Sequence, residues 1–304
     1  MEKVLEESEI IPTLSFKEII REASINAWKL IEHLRAHLIF YKIITGRGLD
    51  FDRLREYQPS DEARYIDWNS FARTNKLFVK IFKEERLRDA FFMLDVSNTM
   101  IFGTTKYAKN EYSSILLTTL AYTCNMINDR VSLICFSDKI KAFVPPTLGI
   151  DAILQIALTL SKKETYGGVK NWNSLYQIFN IAKEDSYIFL ISDFINYNEI
   201  LKEFIMRCSS NFLKIFLIMV RDPLDSELPE GIGYIYLRDP DTGEISLVNV
   251  DKIREEYNKK AKKEEEEVEM IARSYGEFIK VYPNEDFLNK LARFFKEREK
   301  LEWS

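Results

Sequence analysis

Phe91-Phe92-Met93-Leu94-Asp95-Val96-Ser97-Asn98-Thr99-Met100 is the stretch on which the reading of this chain turns. An apolar run of strand length ends in a carboxylate, and two hydroxyls follow at alternate positions. This is the pattern of a buried parallel strand whose carboxyl end carries a site. Asp95, Ser97 and Thr99 are hard oxygen ligands on a short turn, suited to Mg²⁺, which takes a near-octahedral oxygen shell and keeps several of its waters. Asp, Ser and Thr are also preferred helix N-caps, so capping is the alternative reading of the same residues.

Downstream of this stretch, strand and helix patterns alternate. Strands are expected at Phe91 to Val96, Val131 to Phe136, Ile140 to Val144, Tyr187 to Ser192 and Leu213 to Val220. Helices are expected at Tyr107 to Asn128, Ile150 to Ser161, Trp172 to Ala182 and Asn198 to Cys208. Such alternation predicts a doubly wound α/β domain, a mainly parallel sheet with helices on both faces. Asp193, closing Leu190-Ile191-Ser192-Asp193, falls at a second strand end. Two acidic strand ends in one sheet favour a ligand site over simple capping.

Upstream, Ser15 to Tyr41 carries apolar residues at helical spacing, including Ile19, Ala23, Ala27, Leu30 and Leu34. His33 and His37 lie four apart there, but no other histidine is present to complete a metal centre, and packing is the favoured reading. The segment Gly46 to Trp68 is dense in Arg, Asp and aromatic residues and short of either period, which predicts a structured loop held by charge-assisted hydrogen bonds. Arg55, Arg64 and Arg73 are its candidate partner-binding residues, with internal ion pairs to Asp61 or Asp67 as the alternative. The chain is thus divided into an N-terminal helical and loop extension, 1–88, and an α/β domain, 89–304.

Beyond the last core strand, Tyr234 to Leu237 and Ile245 to Val248 flank Asp239-Pro240-Asp241-Thr242-Gly243-Glu244 and read as a β-hairpin extending the sheet edge. Asp251 to Arg273 reads as a charged helix, Phe278 to Val281 as a last strand and Glu285 to Lys296 as a helix with an apolar face.

Composition restricts the functions open to the chain. A net charge of -5 over 304 residues argues against a broad nucleic-acid footprint. Cys124, Cys135 and Cys208 lack CxxC or Cys/His spacing and read as buried free thiols. No apolar stretch approaches the roughly 20 residues of a membrane helix, and the acidic N-terminus lacks a signal-peptide opening, so a cytoplasmic location is expected. There is no Gly-x-x-x-x-Gly-Lys-Ser/Thr loop, so ATP chemistry would belong to a partner.

The Asp95-x-Ser97-x-Thr99 turn, the Ser192-Asp193 strand end and the α/β alternation resemble a von Willebrand factor A domain with its metal-ion-dependent adhesion site. Gly48-x-x-Phe51-x-x-Leu54-Arg55-x-Tyr57-x-Pro59-x-Asp61-x-x-Arg64-x-Ile66-Asp67-Trp68, then Ala72-Arg73, Leu77-x-Val79-Lys80 and Glu84-Glu85, resembles the signature of the bacterial and archaeal proteins called domain of unknown function 58. The likeness runs from about Ile44 to Phe295. It implies Mg²⁺ held by Asp95, Ser97, Thr99 and Asp193, and a protein-binding role in assembly or maturation beside a MoxR-like AAA+ ATPase or its client. Two departures stand out. Val169, in Tyr166-Gly167-Gly168-Val169-Lys170-Asn171, occupies the place of the usual threonine ligand, with Asn171 as a substitute, and Lys170 brings an ammonium to the site. The alternatives are a metal-independent scaffold with a degenerate site and a metal-dependent hydrolase, which lacks an evident general base.

Overall fold

The computed structural model describes residues 11–33, 51–58, 66–74, 76–82, 87–211 and 213–301. Its centre is a six-stranded sheet in the order β10 (Glu277–Val281), β7 (Lys214–Val220), β6 (Tyr187–Ser192), β3 (Asp89–Asp95), β4 (Arg130–Phe136) and β5 (Ile140–Thr147). All neighbours run parallel except β4 and β5, which are antiparallel. The expected α/β class is observed, a mostly parallel central sheet flanked by helices.

The strand sequences explain the two covered faces. Side chains alternate with period two, so Phe92 and Leu94 point to one layer while Phe91 and Met93 point to the other. The first layer is closed by helices Phe16–His33, Lys109–Met126, Ile150–Leu160 and Phe287–Leu301; the second by Trp172–Asn180, Glu199–Ser210 and Val250–Tyr275. Phe92 stacks on Phe189, and Phe189 on Phe216, each at 4.9 Å, linking three adjacent strands through one aromatic ladder. The three cysteines are buried and free, as expected.

β3 occupies the place that matters for a site. Its crossover through Lys109–Met126 leads to β4 on one side, whereas the chain returns through Ile150–Leu160 and Trp172–Asn180 to β6 on the other. Connections that diverge in this way leave a crevice at the carboxyl ends of the two central strands, and Asp95 and Asp193 stand there.

Three expectations are corrected. The hairpin of β8 (Tyr234–Arg238) and β9 (Ile245–Asn249) forms its own two-stranded sheet and does not extend the main one. The edge beside β7 is taken by β10, whose apolar residues pair in parallel and whose preceding Gly276 packs so closely that a Cβ would lie 2.6 Å from the Ile215 carbonyl oxygen. Second, part of Gly46 to Trp68 is regular: β1 (Phe51–Glu56) pairs antiparallel with β2 (Phe78–Phe82), and Ile66 bridges Val79. The apolar residues of β1, Phe51 and Leu54, are three apart, and the register shifts between Phe51 and Arg53, so no period of two marks the strand in the sequence. Third, Trp172–Asn180 is a 3₁₀ helix, its start capped by Asn171. The N-terminal helix is described from Phe16 to His33; Leu34 to Tyr41, His37, Asp61 and Arg64 lie outside the described residues.

Candidate functional site

Each side chain at the crevice is placed by backbone geometry its sequence dictates. β3 ends at Asp95, whose Oδ1 accepts the Ser97 amide at 2.9 Å, folding the chain into the turn that leads to a short 3₁₀ helix, Asn98–Ile101. Ser97 and Thr99 face each other, their hydroxyl oxygens 3.2 Å apart and both residues buried. β6 ends at Ser192, whose hydroxyl donates to Asp95 Oδ2 at 2.6 Å and accepts the Phe194 amide at 3.0 Å. The β6 turn carries Phe194 and Asn196 at φ of 54° and 58°. Non-glycine residues rarely adopt this region, and such strain persists where the surroundings over-determine it. Here Phe194 stacks on Trp172 at 6.0 Å, and the Trp172 indole donates to the Asn196 carbonyl.

The loop Tyr166 to Asn171 closes the crevice. Gly167 donates to the Val96 carbonyl at 2.7 Å, Gly168 donates to the Asn98 side chain at 2.8 Å, and the Gly168 carbonyl accepts the Asn98 amide. Both glycines have positive φ, 106° and 95°, which accounts for the pair where any other residue would be strained. This path delivers Lys170 to the centre.

Lys170 Nζ lies 2.8 Å from Asp95 Oδ2 and 2.5 Å from Asp193 Oδ1. Its ammonium sits over the Trp172 ring at 5.2 Å. A second buried lysine, Lys109, lies 3.0 Å from Asp193 Oδ2 and 2.6 Å from Asp225 Oδ2. The result is a buried alternation of charge, Asp95, Lys170, Asp193, Lys109 and Asp225. Asp225 also accepts the Asp222 amide, while the Asp222 carboxylate accepts the amide and hydroxyl of Thr104, tying the segment after β7 to the segment after β3. Burial pushes the Asp193 carboxyl up, but Lys109, Lys170 and Arg221 outweigh it and hold the group well below the usual carboxylate range. For Lys170 burial disfavours the charged form; Asp193 and Asp95 overcome this and raise its affinity for its proton.

The anticipated site residues are thus distributed as follows. Asp95, Ser97, Thr99 and Asp193 come together at the carboxyl ends of β3 and β6, with Asp95 and Asp193 bridged by Lys170. Asn171 does not face them: its Oδ1 accepts the Asn173 amide at 3.1 Å and its Nδ2 donates to the Asp138 carbonyl. Val169 is exposed. Arg55 lies on β1, where its guanidinium donates to the Glu56 carbonyl, and Arg73 is exposed on the helix Trp68–Thr74.

Lys109 and Asp225 escape a reading of the sequence, because both partners of Lys109 are remote, 84 and 116 residues away. One signal is present nevertheless. A lysine in the first turn of a helix opposes the helix dipole, and Lys109 is the single basic residue of Lys109–Met126, which points to a nearby carboxylate.

The residues do not fit Mg²⁺ as the resemblance implies. A cation joining Asp95 to Asp193 would need the place Lys170 Nζ holds, Val169 offers no oxygen, and the Asn171 carbonyl oxygen is committed to a helix cap. Mg²⁺ also requires oxygens at about 2.0–2.1 Å in near-octahedral array, and Asp95 Oδ2 already accepts both the Ser192 hydroxyl and the Lys170 ammonium.

Comparison with known proteins places the chain among relatives of unassigned role. Uncharacterized proteins of Mycobacterium bovis and Mycobacterium tuberculosis are 23% identical over 263 residues, spanning 85% of this chain and 82% of theirs. Among solved structures, the conserved hypothetical protein BatB from Bacteroides thetaiotaomicron matches at 16% identity and a TM-score of 0.45, covering 70% of this chain and 99% of that one. An aerotolerance-related membrane protein from Bacteroides fragilis matches at 17% identity and a TM-score of 0.45, covering 69% of this chain and 98% of that one. Among the described residues no helix is long and apolar enough to cross a membrane. The model of the protein family of unknown function DUF58 matches residues 53–267, and the chain belongs to that family.

Proposed function

We propose that the chain is a protein-binding module of the von Willebrand factor A type, which works with a MoxR-like AAA+ ATPase in the assembly or maturation of other proteins. In this reading its top face, the loops after β3, β6 and the Gly167-Gly168 turn, is held in its binding conformation by Lys170 and not by a divalent ion. The observation that carries the metal-independent form is the bridge of the Lys170 ammonium between Asp95 and Asp193. A hydrolase is disfavoured by the same bridge, since both carboxylates are neutralised by lysines and neither is placed to act as a general base. The partner assignment follows from the family resemblance, and the lack of a phosphate-binding loop in the sequence fits a division of labour with an ATPase.

The test is binding of the chain to the nucleotide-free MoxR-like ATPase from the same source, with EDTA and with Mg²⁺. Affinity is expected to be the same in both. Val169 is half exposed on the top face, so Val169→Arg should weaken binding at least ten-fold while leaving the melting temperature unchanged. Full affinity in Val169→Arg removes the top face from the interaction; affinity lost in EDTA restores the metal-dependent form.

A further inference from the structure

The β8–β9 hairpin ends in a turn that reaches back over the same face. Its tip, Pro240 to Gly243, and the site loops at Asn98, Gly167 and Gly168 line one shared cavity of about 800 Å³. Asn98 is itself the residue that joins the turn after β3 to the Gly168 loop. Asp241 Oδ1 is buried there without a hydrogen-bond partner among the described residues. Burial raises the Asp241 carboxyl and Asp239 adds to this, whereas Lys170 and a hydrogen bond from the Asn98 side chain pull it back, so the carboxylate is held to the loop after β3 while its Oδ1 stays without a partner among the described residues.

The tip is preformed. Asp239 Oδ1 accepts the amides of Asp241 and Thr242 at 2.8 and 2.9 Å, and the Asp239 carbonyl accepts the Gly243 amide. The base is defined by two glycines and one carboxylate. Gly231 and Gly233 have φ of 76° and 73°, and their amides both rest on the Asp251 carboxylate at 2.9 and 3.0 Å. Between base and tip the strands pair only with each other, and Tyr234, Tyr236, Ile245 and Leu247 stay exposed on one face. An isolated two-stranded hairpin is marginal in water, and elements with few buried contacts open at low cost. Swinging it outward breaks no main-sheet hydrogen bond.

We propose that the hairpin Tyr234 to Asn249 is a displaceable cover, whose Asp241-bearing tip occupies the top face of its own chain and must withdraw before a partner engages it. This rests on the reading of that face as a binding surface. The decoupling test needs no ATPase. A cyclic peptide spanning Tyr234 to Asn249 is titrated against the full chain and against a variant in which 235–248 are replaced by two glycines. The shortened chain should bind the peptide at least ten-fold more tightly than the full chain, and Asp241→Ala in the peptide should abolish the difference. Equal binding to both chains, or binding to neither, overturns the cover. Should the shortened chain fail to fold, Asp241→Ala in the full chain decides the question through hydrogen exchange at amides 98–101 and 168–170. Exchange at least ten-fold faster than wild type supports the cover, and unchanged exchange refutes it. Loss of the cover leaves the Val169→Arg result untouched, so the two readings fail separately.

Discussion

If Lys170 takes the place of a cation, as proposed, replacing it by alanine should give a protein that Mg²⁺ stabilises and leave the wild type without such a response. The Lys170 side chain is 5% exposed and contacts two carboxylates that are wholly buried. In the variant Asp193 keeps Lys109 at 3.0 Å, whereas among the described residues Asp95 is left with the Ser97 amide and the Ser192 hydroxyl. Removing one partner from a buried ion pair costs roughly 3–5 kcal/mol, because the remaining charge is uncompensated. With an unfolding entropy of about 2.1 cal/mol/K per residue, a chain of 304 residues loses about 5–8 °C in Tm. The truncation also opens a space between two carboxylates beside the Ser97 and Thr99 hydroxyls. Mg²⁺ entering it at a hundred times its Kd would return about 2.7 kcal/mol, or about 4 °C. Differential scanning fluorimetry of both proteins, in EDTA and across a millimolar Mg²⁺ series, reads each quantity. The wild type should shift by less than about 1 °C throughout. A wild type that itself melts higher in Mg²⁺, or a Lys170→Ala variant that melts like wild type in EDTA, would refute the argument that the lysine takes the cation's place.

Two further outcomes follow from other parts of the molecule. At the opposite end of the sheet Asp129 is buried against the Tyr187 hydroxyl, and burial, only partly offset by that bond, pushes its carboxyl up to about 6 from 3.8. The native state therefore holds more protons than the unfolded one between about pH 4 and pH 6, and stability from this group falls as pH rises through that window, by about 3 kcal/mol in all. Chemical denaturation at several pH values should show this negative slope, and Asp129→Asn should flatten it; a variant with the wild-type slope would place the titration elsewhere. Gly276→Ala should destabilise by about 1–3 kcal/mol, since its Cβ would meet both the carbonyl oxygen and Cγ2 of Ile215 at 2.6 Å and push β10 off β7. An unchanged denaturation midpoint would show that the sheet edge yields freely.

Local pattern carried much of this protein. The apolar runs ending in Asp95 and Asp193 declare buried parallel strands with acidic carboxyl ends, because a strand covered on both faces must be apolar until it leaves the sheet. The hairpin around Asp239 to Glu244 and the capped helix after Asn198 are likewise local, resting on turn and cap chemistry within a few residues. β1 escapes this kind of reading because a register shift between Phe51 and Arg53 interrupts the period of two in a strand rich in charged residues.

What tertiary structure alone decided was which charge meets which. Lys170 was visible beside the site, but whether its ammonium bridges Asp95 and Asp193 or turns to solvent depends on the path of the Gly167-Gly168 turn against Asn98 and Val96. Lys109 finds Asp193 and Asp225 only after three crossovers bring the ends of β3, β6 and β7 together. The hairpin's register is local, yet its position over Asn98 and Gly168, and the assignment of the sheet edge to β10, depend on packing between remote segments. Sequence spacing reports which side chains share a strand face or helix face. Coulomb interactions in a buried site depend on through-space distance, and that is established only when the whole sheet has closed.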